Sequence, residues 1–417
     1  MDDSTELRWL RVLSKVLASS HLIQADGLAP TIDAAVAPLG MSATIYLVDH
    51  EQVMLRALPV PGRPTPEPIP VDGSLPGRAF ALVKTEPADS VWTPLLDGTE
   101  RFGVVRFTLA DGADAGDPDW HARCELLAGL AGHLIAAKLP HGDLLHVTRR
   151  SRPMTTAAEL MWKVMPPLTS SHERLAVSAI LQPCYDIGGD GFDYAIDGDH
   201  AQLTIWDAMG RGLSAALAGT VAVSAIRAAR RAGADLTEQA RAADDDLTEQ
   251  FGPTGRVRFV TALLIDVDLE NGRLRYLNAG HPPALLLRDR RLIGQLEGGK
   301  RMPLGIADKA DDGVAEDVLQ PGDRLLLHTD GVTEARAHDG TRFGLKRLLA
   351  LAEEGEQSEL PAPETLRRLA LAIAAHQDGP PKDDATLLLM HWSRAAAMRT
   401  VTVPPVPAVP SEGDNPP

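Results

Sequence analysis

The sequence has little of what marks a secreted, membrane-spanning or nucleic-acid-binding protein. Its 417 residues include two cysteines, Cys124 and Cys184, too few for a disulfide framework or a cysteine-rich zinc site, which fits a reducing compartment. A net charge of −16 argues against nonspecific binding to nucleic acid or an anionic membrane, because both need basic fields. No apolar run reaches the about 20 residues that span a bilayer, and the longest weakly polar stretch, 213–226, predicts a buried helix.

The first residues also lack the basic and apolar segments of a signal peptide, so we expect a cytoplasmic protein. The length favours two or three domains. A content of 44% hydrophobic and 24% charged residues is ordinary for a globular chain.

The N-terminal third predicts an antiparallel sheet flanked by helices. The apolar spacing predicts helices at 6–19, 31–39 and 120–139 and strands at 43–48, 53–58 and 102–109. The proline-rich stretch 59–70 predicts a loop without regular structure.

Two segments of this region resemble a GAF domain. They are Val71-Asp72-Gly73-Ser74-Leu75-Pro76-Gly77-Arg78-Ala79-Phe80 and the strand Gly103-Val104-Val105-Arg106-Phe107. The resemblance implies a sensory or dimerising module over residues 1–140 that binds a small ligand or none, and we expect a homodimer. A ligand sensor and a dimerisation platform without a ligand are equally open interpretations.

Residues 141–174 are predicted to link this module to the next one. The basic cluster of Arg149, Arg150 and Arg152 predicts a solvated face. A short helix is expected at 155–165, with Thr155 or Thr156 as N-cap, and it is either a lever between two modules or a spacer. Beyond residue 393 the chain turns proline-rich, which predicts a disordered tail over 394–417.

From residue 175 onwards, short apolar runs predict a second domain, at 175–393. Strands are expected at 176–181, 191–196, 202–206, 261–267, 273–278, 284–288, 324–328 and 385–391. Helices are expected at 213–232, 236–251, 345–351 and 363–376. Many strands with few helices favour an α+β sandwich of two sheets with helices outside.

Aspartates recur in turns at the edges of these predicted strands. The four turns are Gly188-Gly189-Asp190-Gly191-Phe192-Asp193, Ile205-Trp206-Asp207-Ala208-Met209-Gly210-Arg211-Gly212, Thr329-Asp330-Gly331-Val332-Thr333-Glu334-Ala335 and Lys382-Asp383-Asp384-Ala385-Thr386. A buried carboxylate is costly without a positive neighbour, and few Lys or Arg flank these turns. Carboxylates that converge in this way favour a hard divalent cation, Mg²⁺ or Mn²⁺, and therefore a metal-dependent hydrolase.

These turns resemble those of the SpoIIE-type branch of the PP2C (PPM) family of protein serine/threonine phosphatases. Further matching segments are Phe259-Val260-Thr261-Ala262, Asn278-Ala279-Gly280-His281-Pro282-Pro283, Met302-Pro303-Leu304-Gly305, Pro321-Gly322-Asp323 and Phe343-Gly344. The resemblance implies a PP2C-like sandwich with two Mg²⁺ or Mn²⁺ ions that activate a water molecule, without a covalent protein nucleophile. Its implied substrate is phosphoserine or phosphothreonine of a regulatory protein, an anti-sigma-factor antagonist, with regulation by the N-terminal module.

The resemblance also implies which residues carry the chemistry. The catalytic residues would be Asp190, Asp207, Asp330 and Asp383; the metal ligands would be these four together with the carbonyl of Ala208 and Asp384. The sequence leaves open which of Asp383 and Asp384 points at the metal. Asp193 is expected to orient loop backbone or a metal-bound water.

Two positions depart from the family pattern. Trp206 stands where a small residue is common, and Gly191 stands where an aromatic residue is common. We therefore expect the strand to pack differently beside the metals and the first loop to be looser.

Two other functions, a nucleotide cyclase and a non-catalytic binding module, are alternatives to the phosphatase. Gly188-Gly189-Asp190-Gly191-Phe192 is similar to the GGDEF signature of nucleotide cyclases, but it lacks the Glu before Phe and leaves Asp330 and Asp383 unexplained. A non-catalytic binding module with the same fold is the other alternative, and the intact carboxylates argue against it.

Overall fold

The computed structural model describes residues 3–110, 112–252, 258–306, 313–358, 360–377, 379, 381 and 383–393. The predicted disordered tail at 394–417 lies outside these residues. No helix in the described ranges is long and apolar enough to cross a membrane.

The N-terminal part of the chain forms one six-stranded antiparallel sheet. Its elements are α1 Asp3–Ser20, α2 Ala25–Val36, β1 Ser42–Val48, β2 Met54–Ala57, β3 Ile69–Pro70, α3 Leu75–Leu82, β4 Glu86–Pro87, β5 Val91–Asp97, β6 Glu100–Thr108 and α4 Pro118–Lys138. The strand order is β3-β2-β1-β6-β5-β4. One buried cluster joins α1, α2 and α4 to one face of the sheet, and a smaller one joins α3 to the other face. The predicted antiparallel sheet with flanking helices is confirmed.

Sequence patterning missed four elements here, namely β3, α3, β4 and β5. Strand β5 contains Pro94, and α3 begins at Leu75 with Pro76 and Gly77 in its first turn, so neither has a regular apolar period. The cap of α3 is local, because the Ser74 hydroxyl accepts the Gly77 N–H at 3.0 Å. The prediction that all of 59–70 is irregular is wrong at its end, since β3 pairs with β2 at the sheet edge, where a proline is tolerated.

The connecting segment contains two short helices, α5 Leu144–Thr148 and α6 Thr156–Val164. Thr155 is the N-cap of α6, and its hydroxyl accepts the Ala158 N–H at 3.2 Å. The predicted solvated face is wrong for Arg149, which is 9% exposed, whereas Arg150 and Arg152 form surface ion pairs. Arg149 packs under the N-terminal sheet because its Nε donates to the Val48 carbonyl at 3.1 Å.

The C-terminal part forms two further six-stranded sheets. Its strands are β7 Thr169–His172, β8 Leu175–Gln182, β9 Gly191–Asp197, β10 His200–Ala208, β11 Val260–Asp268, β12 Arg273–Ala279, β13 Leu285–Arg288, β14 Arg291–Gln295, β15 Lys300–Arg301, β16 Ala315–Val318, β17 Arg324–His328 and β18 Ala385–Trp392. Its helices are α7 Leu213–Arg231, α8 Leu236–Phe251, α9 Asp330–Glu334, α10 Gly344–Gln357 and α11 Ala362–His376. One sheet has the order β15-β12-β11-β10-β9, with β16 paired to β12, and the other has the order β14-β13-β17-β18-β8-β7.

Alternating side chains bury both faces of these sheets. In β18, Leu388 and Met390 enter the core shared by the two sheets and α7 and α8. Leu387 and Leu389 point the opposite way, into the core under α10 and α11. The result is the predicted α+β sandwich with helices outside.

Candidate metal-binding site

The four predicted acidic turns lie at one end of the sandwich. Asp190 precedes β9 and Asp207 lies near the end of the adjacent antiparallel strand β10. Asp330 follows β17, and Asp383 precedes the adjacent strand β18. The pairing within each sheet therefore brings each pair of turns together, and the packing of the sheets brings the two pairs together.

Asp190 joins the two sheets through hydrogen bonds. Its Oδ2 accepts the hydroxyl of Thr329 at 2.6 Å and the hydroxyl of Thr386 at 3.0 Å. The side chain is almost fully buried, at 2% exposure. Burial and the nearby carboxylates of Asp207 and Asp384 raise the pKa of Asp190 well above its ordinary value. The motif residues Thr329 and Thr386 had no predicted role, and the structure makes them the groups that orient Asp190.

Asp384 holds the backbone of the first loop. Its Oδ2 accepts the N–H groups of Gly188 at 2.9 Å, Gly189 at 2.8 Å and Asp190 at 3.4 Å. One oxygen of Asp384 is thus committed to the loop. Asp383 has no such role, because its side chain is 64% exposed at the mouth of the site.

Asp207 and Asp330 each lie close enough to other carboxylates of the site for their charges to interact. The pKa of Asp207 is raised to about 7 by burial and then by the charges of Asp330, Asp383 and Asp384. The pKa of Asp330 is raised by burial and by Asp383 and Glu334. The carboxylates therefore repel one another.

Little positive charge offsets this repulsion. Within the described ranges, these carboxylates make one ion pair, between Arg211 Nη2 and Asp383 Oδ1 at 3.4 Å, and both side chains are largely exposed. An exposed pair of this kind is worth little. The site is left with a net negative charge.

The side chains do not close around a single point. Among the described residues, no three Asp, Glu, His or Cys side chains are arranged as the ligands of one ion. These residues still suit a hard divalent cation, because all the side-chain atoms that could bind it are carboxylate oxygens. The carboxylates also repel one another, and few basic side chains among the described residues lie beside them. A cation among the carboxylates would favour their ionised form and so lower the pKa values of Asp190 and Asp207.

Glycines allow the close approach of backbone in this site. A Cβ at Gly331 would lie 1.9 Å from the carbonyl oxygen of Asp384, and one at Gly189 would lie 2.9 Å from the carbonyl oxygen of Ala208. Only glycine fits such contacts. The glycine beside Asp330 thus lets the turn after β17 touch the turn before β18 in the same sheet.

Asp193 has partners away from this group. Its Oδ1 accepts from Arg227 at 2.6 Å and its Oδ2 from Arg230 at 2.9 Å, both on α7. Arg227 also donates to the Val164 carbonyl at the end of α6. Asp193 was predicted to orient loop backbone or a metal-bound water; the structure instead shows it joining β9 to α7 through Arg227 and Arg230.

Comparison with known proteins decides what this half of the chain is. The family model described as Stage II sporulation protein E (SpoIIE) matches residues 197–393. The C-terminal half of the chain is a SpoIIE-type PP2C phosphatase domain. This phosphatase domain includes β10, β17 and β18 with their acidic turns, and the nucleotide cyclase alternative finds no support.

Two curated relatives contain a similar domain. The phosphoserine phosphatase RsbU of Bacillus subtilis (strain 168) is 24% identical over 237 residues, 56% of this chain and 68% of RsbU. The phosphoserine phosphatase RsbP of the same strain is 26% identical over 168 residues, 40% of this chain and 41% of RsbP. Among solved structures, the RsbU and RsbW domains of a Mycobacterium tuberculosis protein are 25% identical, with a TM-score of 0.45, over 55% of this chain and 63% of that one.

Proposed function

We propose that this protein is a metal-dependent phosphatase that removes phosphate from phosphoserine or phosphothreonine of a regulatory protein. The observation that carries the proposal is the meeting of Asp190, Asp207, Asp330 and Asp383 at one end of the phosphatase domain. The regulatory protein we propose is an anti-sigma-factor antagonist. This is supported by the similarity to RsbU and RsbP, whose names describe phosphoserine phosphatases.

The four carboxylates would hold two Mg²⁺ or Mn²⁺ ions, with the carbonyl of Ala208 as a further ligand. When bound, such ions ease the deprotonation of a water molecule and neutralise charge on the phosphoryl group. We assign Asp383 rather than Asp384 to the metals, because Asp384 is engaged with the loop N–H groups.

The other residues of the site would position these ligands. Thr329 and Thr386 fix the carboxylate of Asp190, and Asp384 fixes the loop from which Asp190 projects. Arg211 is exposed beside Asp383, where its guanidinium can meet the phosphate of an incoming phosphoprotein.

We also propose the division of the chain into modules. Residues 1–140 would form a GAF-like module that dimerises and regulates turnover, 141–174 the link, and 175–393 the phosphatase domain. The six-stranded antiparallel sheet with helices on its faces supports the GAF-like assignment. Analytical ultracentrifugation at micromolar concentration tests the dimer, and a monomer there would count against it.

The activity test uses p-nitrophenyl phosphate with Mn²⁺, with Mg²⁺ and with EDTA. We expect turnover with either metal and none in EDTA. Asp207→Asn and Asp330→Asn should each lower kcat by about 100-fold or more without changing the melting temperature, since each removes a charged ligand. Asp197→Asn, at the exposed end of β9, is the matched control and should stay active. Turnover that ignores EDTA would contradict the proposal.

The substrate class needs a separate experiment. Cells that carry the Asp330→Asn form should accumulate one or a few phosphorylated regulatory proteins relative to wild-type cells. Phosphoproteomics would identify them, and purified wild-type enzyme should then release phosphate from those proteins. An unchanged phosphoproteome would argue against a phosphoprotein substrate while leaving metal-dependent hydrolysis intact.

A further inference from the structure

A cavity of about 550 Å³ lies where the N-terminal sheet, the connecting segment and the phosphatase domain meet. Its walls include Thr99 and Phe102 from the first sheet, Arg149 from the connection, Trp162 from α6 and Tyr194 from β9. Cavities that bind small molecules commonly measure about 300–1,000 Å³. This one therefore has the size of a ligand site, and it is distinct from the acidic turns.

Arg149 is a buried cation in this wall. The residue is 9% exposed, and among the described residues its guanidinium makes one hydrogen bond, from Nε to the Val48 carbonyl at 3.1 Å. The Phe102 ring lies 5.7 Å from its Cζ. The buried carboxyl of Glu100 attracts the guanidinium, but no acid among the described residues lies within ion-pair distance of it, and Glu100 uses its Oε2 to accept the Thr169 N–H at 2.7 Å. No described carboxylate therefore binds the fork of the Arg149 guanidinium directly.

Two buried polar side chains in the wall lack hydrogen-bond partners. His50 is 7% exposed and Thr99 is 8% exposed. In the described part of the chain, the two ring nitrogens of His50 and the hydroxyl of Thr99 have no hydrogen-bond partner. Folded proteins satisfy nearly all buried polar groups, so these two residues are exceptions that share one cavity wall.

The rest of the wall is apolar and aromatic. The Trp162 ring packs against His50 with their centroids 4.7 Å apart, and Met165 and Leu168 also line the space. Burial and the nearby Arg149, Arg150 and His146 lower the pKa of His50 to about 2, so its ring is neutral and offers one donor and one acceptor. The cavity wall thus combines the cations Arg149 and Lys163 with the acids Asp97 and Glu100, uncharged polar groups and apolar surface.

We propose that this cavity binds a small organic anion whose acidic head pairs with Arg149 and whose apolar or aromatic body packs against Phe102 and Trp162. A carboxylate or a phosphate-like head would satisfy the planar fork of the guanidinium. An occupant would contact all three parts of the chain at once and would therefore hold the first sheet against the phosphatase domain. Binding is independent of the proposed activity, whereas its coupling to turnover rests on that activity.

The binding test uses the full chain in EDTA, so that metals do not recruit the anions. Isothermal titration is run with benzoate, with phenylphosphonate and with benzamide as the uncharged analogue of benzoate. We expect saturable binding of one or both anions and none of benzamide. Arg149→Met should weaken anion binding on the order of tenfold or more, because a charge-assisted hydrogen bond is lost.

Two further variants keep the result interpretable. Arg152→Met is the matched control, since Arg152 is an exposed arginine paired with Asp186 at 2.6 Å, and it should bind as wild type does. Ser170→Phe places a bulky side chain in the cavity from the short strand β7 and leaves Arg149 in place, so it should abolish anion binding. This variant tests the site independently if Arg149→Met fails to fold. The proposal would be overturned if the wild-type protein bound neither anion. It would also be overturned if anion binding were unchanged in both Arg149→Met and Ser170→Phe, or if benzamide bound as well as the anions.

The coupling is measured separately, as p-nitrophenyl phosphate turnover with Mn²⁺ and a saturating anion. The anion should change turnover in wild type and in Arg152→Met and leave it constant in Arg149→Met. The Arg149→Met variant also controls for anions that bind at the metal site, because any effect there would persist in it. Unchanged turnover in a protein that binds the anion would overturn the coupling alone. Absent turnover with intact binding would instead refute the proposed activity.

Discussion

The indole of Trp206 fills the space that a side chain at Gly191 would occupy. The two residues are directly paired across β9 and β10, and a Cβ at Gly191 would lie 2.2 Å from Cζ2 of Trp206. The ring is 1% exposed and belongs to the core of the sandwich. The two positions noted as departures from the family pattern are thus in direct contact, and the Trp206 ring takes the space beside Gly191.

This contact predicts that the two positions are coupled. Gly191→Phe alone should destabilise the protein by about 1–3 kcal/mol or more through overpacking, and Trp206→Ala alone by about 3–5 kcal/mol through a cavity. The double variant Gly191→Phe/Trp206→Ala should lose less unfolding free energy than the two single variants lose together. A double-mutant cycle from urea unfolding measures this, and additive losses would show that the residues do not compensate.

The hydroxyls that hold Asp190 predict an effect on activity. Thr329→Val keeps the side-chain shape and removes the 2.6 Å hydrogen bond to Asp190, so the carboxylate loses its orientation. We expect kcat/KM to fall about tenfold or more and Mn²⁺ to bind more weakly, since a hydrogen bond to a charged group is lost. Thr386→Val should act in the same direction.

Thr220→Val is the control for these variants, because the Thr220 hydroxyl donates to the Ala216 carbonyl within α7. Its kcat/KM and Mn²⁺ affinity should match wild type. If Thr329→Val retains full activity and metal affinity, the assigned positioning role is wrong.

Arg367 forms a buried ion pair within α11 and a second ion pair with the N-terminal part of the chain. Arg367 is 1% exposed, and its guanidinium contacts Glu364 at 2.7 Å and Asp72 of the first sheet's loop at 2.5 Å. Glu364 is fully buried, whereas the Asp72 side chain is 70% exposed. Losing the buried anion should cost about 3–5 kcal/mol, and losing the exposed one about 1 kcal/mol or less.

We therefore expect Glu364→Gln to lower the melting temperature much more than Asp72→Asn does. Differential scanning calorimetry of both variants at one pH and salt concentration gives the ranking. Equal shifts would mean that burial does not set the strength of this contact.

Glu100 predicts a pH dependence of stability. Burial raises its pKa to about 7 from an ordinary 4.5, with Arg149 acting in the opposite direction. The folded state therefore favours the protonated form, so this contribution is fully present below pH 4.5 and is lost as the pH rises through about 7. The loss should be on the order of 1–3 kcal/mol.

Glu100→Gln is neutral at every pH and still accepts the Thr169 N–H. Relative to this variant, wild type should lose stability between pH 5 and pH 8, as measured by urea unfolding at both values. A constant difference between the two proteins would show that the carboxyl titrates outside this window.

Local residue patterns were sufficient to predict the elements whose signal spans a few residues. Helix α8 and strand β17 have the predicted bounds, because apolar periodicity depends on neighbours a few residues apart. The acidic turns at the strand ends and the type of fold were also predicted in this way. Strand β5, interrupted by Pro94, carried no such signal and was missed.

Which side chains meet depends on the packed fold. Asp384 holds the loop at Gly188 across a separation of 196 residues, whereas Asp383 lies exposed at the mouth of the site beside Arg211. Arg149 looked like a solvated charge and is buried against a cavity, because burial depends on elements far away in the chain. Contacts of this kind arise from the packing of whole sheets, and no local pattern of residues encodes them.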